Sequence, residues 1–337
     1  VIAPLSIPSP SEDWRYWEIP VPWGTLTIHA YAICILVGII AAYIVTSRRL
    51  TKRGGEPGVA LDVTLWAVVL GIIGARFYHV FTHPDDFFYE GANVWNPFEP
   101  GSIWAIWEGG NAIYGSLIGG AIGVFIGCRL TGLRFWSFAD ALAPGLLLAQ
   151  AFGRLGNWFN QELFGQPTTL PWGLEITYPN PAWPAGLPED TLFAPTFLYE
   201  IIWNVVGIAV ILLIERRGEG VLRWGKAFGV YMIWYGTGRA FLESIRLDPS
   251  EMFLGIRVNI WASWILIVLG IVLILVQRRR HTGLEPSVYV PGREWVEPEP
   301  GVDSESTESD SDSDGDEAET ENADGSAPAT SPRGNAS

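Results

Sequence analysis

Seven stretches of this chain are apolar for about as long as a lipid bilayer is thick, and nothing else in the sequence limits the fold as strongly. A helix needs about 20 apolar residues to cross the hydrocarbon core, fewer where neighbouring helices shield its ends. Segments near 28–47, 59–81, 110–128, 136–152, 197–214, 227–245 and 260–276 meet that length. Inside a bilayer the backbone polar groups must be satisfied within the protein, so the expected fold is an all-α integral membrane bundle of about seven transmembrane helices. The fourth segment is interrupted by Asp140, Pro144 and Gln150, which places it inside the bundle where other helices can satisfy its backbone. The third carries Gly115, Gly119, Gly123 and Gly127 at a spacing of four, beside Ser116 and Gly120. Such a small-residue stripe admits a second helix at close range.

Charge alternates along the connections. The stretches "SRRLTKRGG", "CRLTGLRFW", "ERRGEGVLRWGK" and "QRRRH" hold 13 Lys and Arg after spans one, three, five and seven. By the positive-inside rule these lie in the cytoplasm, and the other connections face outward. The expected divisions are an extracytoplasmic segment 1–22, a membrane domain 23–280 and a cytoplasmic tail 281–337. From Glu285 onward 15 acidic residues face Arg293 and Arg333, so this tail carries about −13 of the formal −15. Its polar, aperiodic composition is that of a disordered segment. The body is close to neutral, and no nucleic-acid partner is expected. Its first span, long and followed by arginines, suits a retained anchor and not a cleaved leader.

Cys34 and Cys128 both fall in apolar segments and are expected to pack there. The four histidines form no ligand spacing, so neither a metal nor a cofactor is expected.

Ionisable groups in a membrane span cost about 2.5–3.5 kcal/mol each on insertion scales, so those present need a reason. Tyr235, Arg239, Glu243 and Arg246 recur at steps of four, four and three, on one face of span six. Two cations against one anion leave positive charge near the outer leaflet, and Arg154 at the end of span four adds to it. Arginine's planar fork suits phosphate oxygens, and the surrounding Trp, Phe and Leu suit a phospholipid. Asn157 lies one turn beyond Arg154. Asn160, Gln161 and Glu162 follow, suited to glycerol hydroxyls or a peptide backbone, with Glu162 alternatively pairing with Arg154. Arg76 is expected to form a salt bridge or to reach outward, and Asp140 to cap or brace the bundle. A transporter is a rival reading, but its polar residues should continue across the membrane, often with internal repeats. Here they gather at one end. A metal-dependent phosphatide enzyme would want an aspartate cluster that Asp85–Asp86 does not supply.

The stretch "GRLGNWFNQELFG", from Gly153 to Gly165, resembles the signature of the bacterial prolipoprotein diacylglyceryl transferases. "HAYAI", "GARFYHV", "WEGGNAIYGSLIGG", "DALAPG", "PTFLYE" and "YGTGRAFLESIR" follow that family's order, and the resemblance spans roughly Trp23 to Arg280. It implies a bacterial plasma-membrane enzyme, multi-pass, with its site toward the outer face. The reaction implied moves the diacylglyceryl group of phosphatidylglycerol to the lipobox cysteine of a prolipoprotein signal peptide. The resemblance maps the family's two essential arginines onto Arg154 and Arg239, with Tyr31, Asn157, Gly165, Glu162, Glu243 and Arg246 at further site positions. A histidine that the family often uses is replaced by Tyr114, and another, before "PxxLYE", by Ala194. The residues expected to act on substrate are therefore Arg239, Arg154, Tyr114 and Glu243. Those expected to bind it are Arg154, Asn157, Asn160, Glu162, Gly165, Tyr31, Tyr235 and Arg246.

Overall fold

The computed structural model describes residues 6–21, 24–89, 94–96, 101–106, 109–110, 112–218, 220–248 and 250–297. Seven α-helices run through them: α1 Ala30–Thr51, α2 Val59–Thr82, α3 Ile113–Thr131, α4 Phe135–Asn160, α5 Thr196–Arg216, α6 Lys226–Glu243 and α7 Val258–Arg280. Six are long and apolar enough to cross a membrane. The exception is α6, which brings Lys226, Arg239 and Glu243 into 18 residues. Two small antiparallel hairpins, absent from the all-α expectation, join them. One pairs β1 Tyr16–Val21 with β2 Gly24–His29, the other β3 Met252–Phe253 with β4 Ile256–Arg257.

The helices pack as neighbouring pairs, α2 with α3, α1 with α4, and α6 with α7. The glycine stripe of α3 is the seam against α2. A Cβ at Gly115, Gly119 or Gly123 would collide with the backbone of Gly74, Leu70 or Trp66, so those positions admit nothing larger than hydrogen. Helix α4 is the central one: 56% of its apolar window is buried, against 11–33% for the other five spans. Pro144 lies within it and cannot donate to the carbonyl of Asp140. Arg49 of α1 takes that carbonyl at 3.2 Å and the Ala141 carbonyl at 3.0 Å. The Asp140 carboxylate, fully buried, accepts from the amides of Gly225 (2.7 Å) and Phe228 (3.0 Å). It caps the start of α6 from a neighbouring helix, the bracing role expected of it.

Three expectations change. The signature stretch was read as following a span, but α4 continues through Asn160, so Arg154 and Asn157 are helical residues. Arg76 does not reach outward. It is buried and donates to the carbonyls of Ser102, Ile103 and Gly109, holding the α2–α3 connection (2.6–2.9 Å). Residues 281–297 were assigned to the acidic tail, yet Val288 and Tyr289 are buried against Leu50, Val59 and Phe138. The acidic run beyond them lies outside the described residues.

The α4–α5 connection has a core of its own in Phe164, Leu174, Ile176, Phe193 and Phe197. Trp158 stacks on Phe197, and Trp183 meets Phe193 edge-on. Trp158 at the end of α4 and Trp183 within the connection thus pack on this core, so burial of aromatic area orders a segment without regular structure.

Candidate active site

Four helices converge at the end of the bundle where α4 and α6 finish and α5 and α7 begin. Glu200, in the second turn of α5, is 6% exposed and stands between two arginines. Its carboxylate lies 2.5 Å from Arg154 Nε and 3.9 Å from Arg239 Nη1. Arg239 also pairs with Glu243 at 2.7 Å, one turn along α6. Glu243, fully buried, receives Arg246 at 3.3 Å, Arg257 at 3.4 Å and the amide of Asn259 at 3.0 Å. Several donors on one carboxylate are what burial of that charge requires.

The positive surplus expected from span six is not present. Arg154, Arg239, Arg246 and Arg257 face Glu200, Glu243, Asp248 and the nearby Glu162, four cations and four anions. What the cluster does offer is directional: Arg239 Nη1 is buried and has no hydrogen-bond partner among the described residues, since 3.9 Å to Glu200 exceeds bonding reach. A buried, charged donor left open is an invitation to an anion.

Beside it the amides of the signature form a relay. Arg154 Nη1 donates to Asn157 Oδ1 at 2.9 Å, Asn157 Nδ2 to Glu162 Oε1 at 2.8 Å, and Asn160 Nδ2 to the same oxygen at 3.2 Å. Of the two alternatives for Glu162, direct pairing with Arg154 does not occur; Asn157 stands between them. Gln161 is committed elsewhere, with its side chain bonded to Pro10 and Thr177 and almost no exposure. Tyr31, in the first turn of α1, packs its ring against Gly156 one residue before Asn157.

The remaining sequence candidates sit around this centre. Arg246 lies past the end of α6, buried, its guanidinium held by Asp248 at 2.7 and 2.9 Å as well as by Glu243. Gly165 bridges Arg246 through the backbone and donates to Ala194 at 2.9 Å, and a Cβ there would meet Ala194, Ile245 and Thr196 at a tight 3.0–3.1 Å. Both hold the α4–α5 connection to the end of α6. Tyr235, one turn below Arg239 along α6, stacks on Tyr231. Tyr114 is 41% exposed; among the described residues its hydroxyl reaches Asn259 at 3.4 Å and its ring lies near that of Tyr78. Sequence reasoning passed over Glu200, although it is the one acidic residue in an apolar span until Glu215 at its end.

A multi-pass helical membrane protein with a buried arginine–carboxylate cluster at one end of its bundle is the class this fold and site define. The profile of the family "Prolipoprotein diacylglyceryl transferase" matches residues 19–276. A protein of Leifsonia xyli subsp. xyli named phosphatidylglycerol–prolipoprotein diacylglyceryl transferase is 66% identical over 89% of each chain. A Streptomyces coelicolor protein of that name, numbered 2, is 45% identical over 80% of this chain and 82% of its own. One from Bifidobacterium longum is 44% identical over 79% and 84%. The chain belongs to the prolipoprotein diacylglyceryl transferase family, and is a transferase of lipoprotein biosynthesis.

Proposed function

We propose that the chain transfers the diacylglyceryl group of phosphatidylglycerol to the lipobox cysteine thiol of a prolipoprotein signal peptide. The cysteine sulfur bonds to the terminal glyceryl carbon as that carbon's bond to the phosphate oxygen breaks. Glycerol phosphate leaves, and the thiol proton passes to it or to solvent. The observation that carries this reading is the open Nη1 of Arg239 beside Arg154, two guanidinium groups oriented by one shared carboxylate.

Arg239 and Arg154 take the phosphate, where negative charge grows as the bond breaks. Donors already aimed at developing charge need no reorganisation at the moment of reaction. Glu200 and Glu243 position the guanidinium groups. The open Nη1 of Arg239 is also a local donor that favours a thiolate over a thiol of ordinary pKa near 8.5. Asn157, Asn160 and Glu162 orient the glycerol hydroxyls; Glu162 is exposed at the rim, within reach of a headgroup. Tyr31 shapes the wall beside Asn157. The nucleophile belongs to the substrate, which leaves Cys34 and Cys128 to packing. Tyr114 hydrogen-bonds at the edge and abstracts no proton. Arg246, Gly165 and Tyr235 act on the substrate through the elements they hold together.

In this reading α6 is the seventh span. It begins at Gly225, under the Asp140 cap, and ends at Glu243 beside Asn259, so it joins the two ends of the bundle. Its charges lie against other helices and not against lipid. The site then faces outward, with the Lys- and Arg-rich connections in the cytoplasm. The test is a reconstitution: purified protein, phosphatidylglycerol and a lipobox peptide should yield the thioether-lipidated peptide. Arg154→Ala and Arg239→Ala should each yield none while eluting as folded protein. Absence of product from the unmodified chain, with a related transferase active in the same vesicles, refutes the reaction.

A further inference from the structure

At the opposite end of the bundle a second cationic site is built from residues the reaction does not use. Arg49 ends α1 and Glu215 ends α5. From Tyr31 to Arg49, and from Glu200 to Glu215, each helix rises about 1.5 Å per residue, which separates this place from the arginine–carboxylate cluster by more than 20 Å. Here a cavity of about 220 Å³ is lined by Arg49, Lys52, Arg53, Glu215 and Arg223, with Leu222 on its apolar side. That is several times the ~30 Å³ share of one water in the liquid, and it has room for a phosphate group.

The lining is not neutralised. Glu215 is its single anion among the described residues, facing four cations, and it is consumed by Arg49 at 2.6 Å and Arg53 at 3.0 Å. The buried Asp140 carboxylate is engaged with the start of α6, and Glu285 bonds Ser137 through one oxygen and pairs with Arg223 at 3.9 Å through the other, so with both Glu215 and Glu285 counted the described lining still holds two cations in excess. Arg53 is the telling residue. Its side chain is 8% exposed, yet its Nη1 is buried with no hydrogen-bond partner among the described residues. Burial and the neighbouring Arg223 and Arg49 push its pKa below the ordinary arginine value, outweighing Asp140 and Glu215. Glu215 serves two arginines at once, so a second anion on the open Nη1 would stabilise the buried guanidinium further.

We infer that this pocket binds a phosphate group, held by Arg53 and Arg223 with Lys52 at the rim. Arginine forks match phosphate oxygens in pairs. The pocket sits where two spans of about 20 residues end, which is headgroup depth in a bilayer. Two sources present the same chemistry there, the headgroup of an anionic phospholipid and free phosphate. A bound phosphate would tie α1 to the α5–α6 connection, next to the Asp140 cap that starts the helix carrying Arg239.

The experiment uses the full chain in neutral detergent, titrated with dioleoyl phosphatidic acid, dioleoyl phosphatidylcholine or inorganic phosphate, with bound lipid read by native mass spectrometry and stability by thermal unfolding. Phosphatidic acid lacks the glycerol headgroup of the proposed substrate, and no activity is measured, so the outcome is independent of the reaction. Phosphatidic acid should bind at least about tenfold more tightly than phosphatidylcholine, and the double variant Lys52→Gln/Arg223→Gln should lose roughly that factor. These two cations are the accessible ones, so the pair spares the buried Arg53–Glu215 contact. Arg239→Gln should keep the tight binding. Equal affinity in the unmodified chain and the double variant overturns the inference, as does loss in Arg239→Gln alone. Inorganic phosphate that stabilises as strongly as the lipid and displaces it supports the pocket with free phosphate as its source.

Discussion

Glu200 touches both arginines of the cluster, and its burial fixes what each of them can do. A guanidinium in a low-dielectric site needs a counter-charge to stay in place, and removing one partner of a buried pair leaves the other uncompensated. Glu200→Gln keeps the shape and removes the charge, so Arg154 and Arg239 should both lose their aim. We expect kcat for lipobox-peptide lipidation to fall by about 10²–10³, the range typical of losing an oriented electrostatic group. The substrate KM should change less, and a folded elution profile should accompany the loss; activity near that of the unmodified chain would remove Glu200 from the site. Tyr114→Phe is the contrasting case. The exposed 3.4 Å contact of its hydroxyl is at the outer limit of a hydrogen bond, so the same assay should change by about twofold or less. A loss as large as that of Glu200→Gln would instead make the phenol a participant. The arginines were legible in the sequence because charge in an apolar span is anomalous wherever it occurs. Their shared partner was not. Nothing local links positions on α4, α5 and α6, and the "PTFLYE" stretch gives no hint that its carboxylate turns inward. The burial of Arg76 was hidden for a related reason: it donates to the backbone carbonyls of Ser102, Ile103 and Gly109, and every residue has such an acceptor.

Among the elements, the α2–α3 seam was the most legible from sequence, since a spacing of four glycines is a geometric statement about one face. The structure adds how close the contact is, and the closeness differs between adjacent glycines. At Gly119 a Cβ would strike the Leu70 carbonyl, whereas at Gly120 it would meet only Ala67 O at 3.7 Å, an ordinary contact. Gly119→Ala should therefore destabilise the protein by about 1–3 kcal/mol through overpacking. Gly120→Ala should be neutral or stabilise it by up to about 1 kcal/mol, because alanine is the better helix former. Thermal unfolding of the two variants in one detergent checks the pair; equal effects would mean that helix propensity, and not the seam, governs both. The hairpins and the α4–α5 connection were not legible. The order of the connection rests on contacts such as Leu174 with Phe193 and Gly165 with Arg246, between residues far apart in sequence that carry no periodic signal.

For the molecule as a whole, composition misplaces the end of the folded unit. The acidic residues begin at Glu285 and dominate any average taken over the C-terminal stretch, which hides "SVYV" within it. Those few residues matter. Val288 and Tyr289 fill the core between α1, α2 and α4, the Tyr289 hydroxyl accepts from the Glu56 amide at 2.9 Å, and the Arg134 amide donates to Val288 O at 2.8 Å. Glu285 adds its contacts with Ser137 and Arg223. Two truncations separate composition from packing. Ending the chain after Glu297 removes only residues that make none of these contacts, so thermal stability and peptide lipidation should be unchanged. Ending it after Gly283 exposes the pocket that Val288 and Tyr289 occupied. At about 1.5–3 kcal/mol for each fully buried apolar side chain, the loss should be about 3–6 kcal/mol and visible as a lower unfolding temperature. Double replacement of Val288 and Tyr289 by alanine in the full chain should reproduce most of that loss while leaving the charge of the tail intact. If instead the charge-preserving variant unfolds like the unmodified chain and only the truncations differ, the tail acts through its acidity, and the docked segment contributes nothing to the fold.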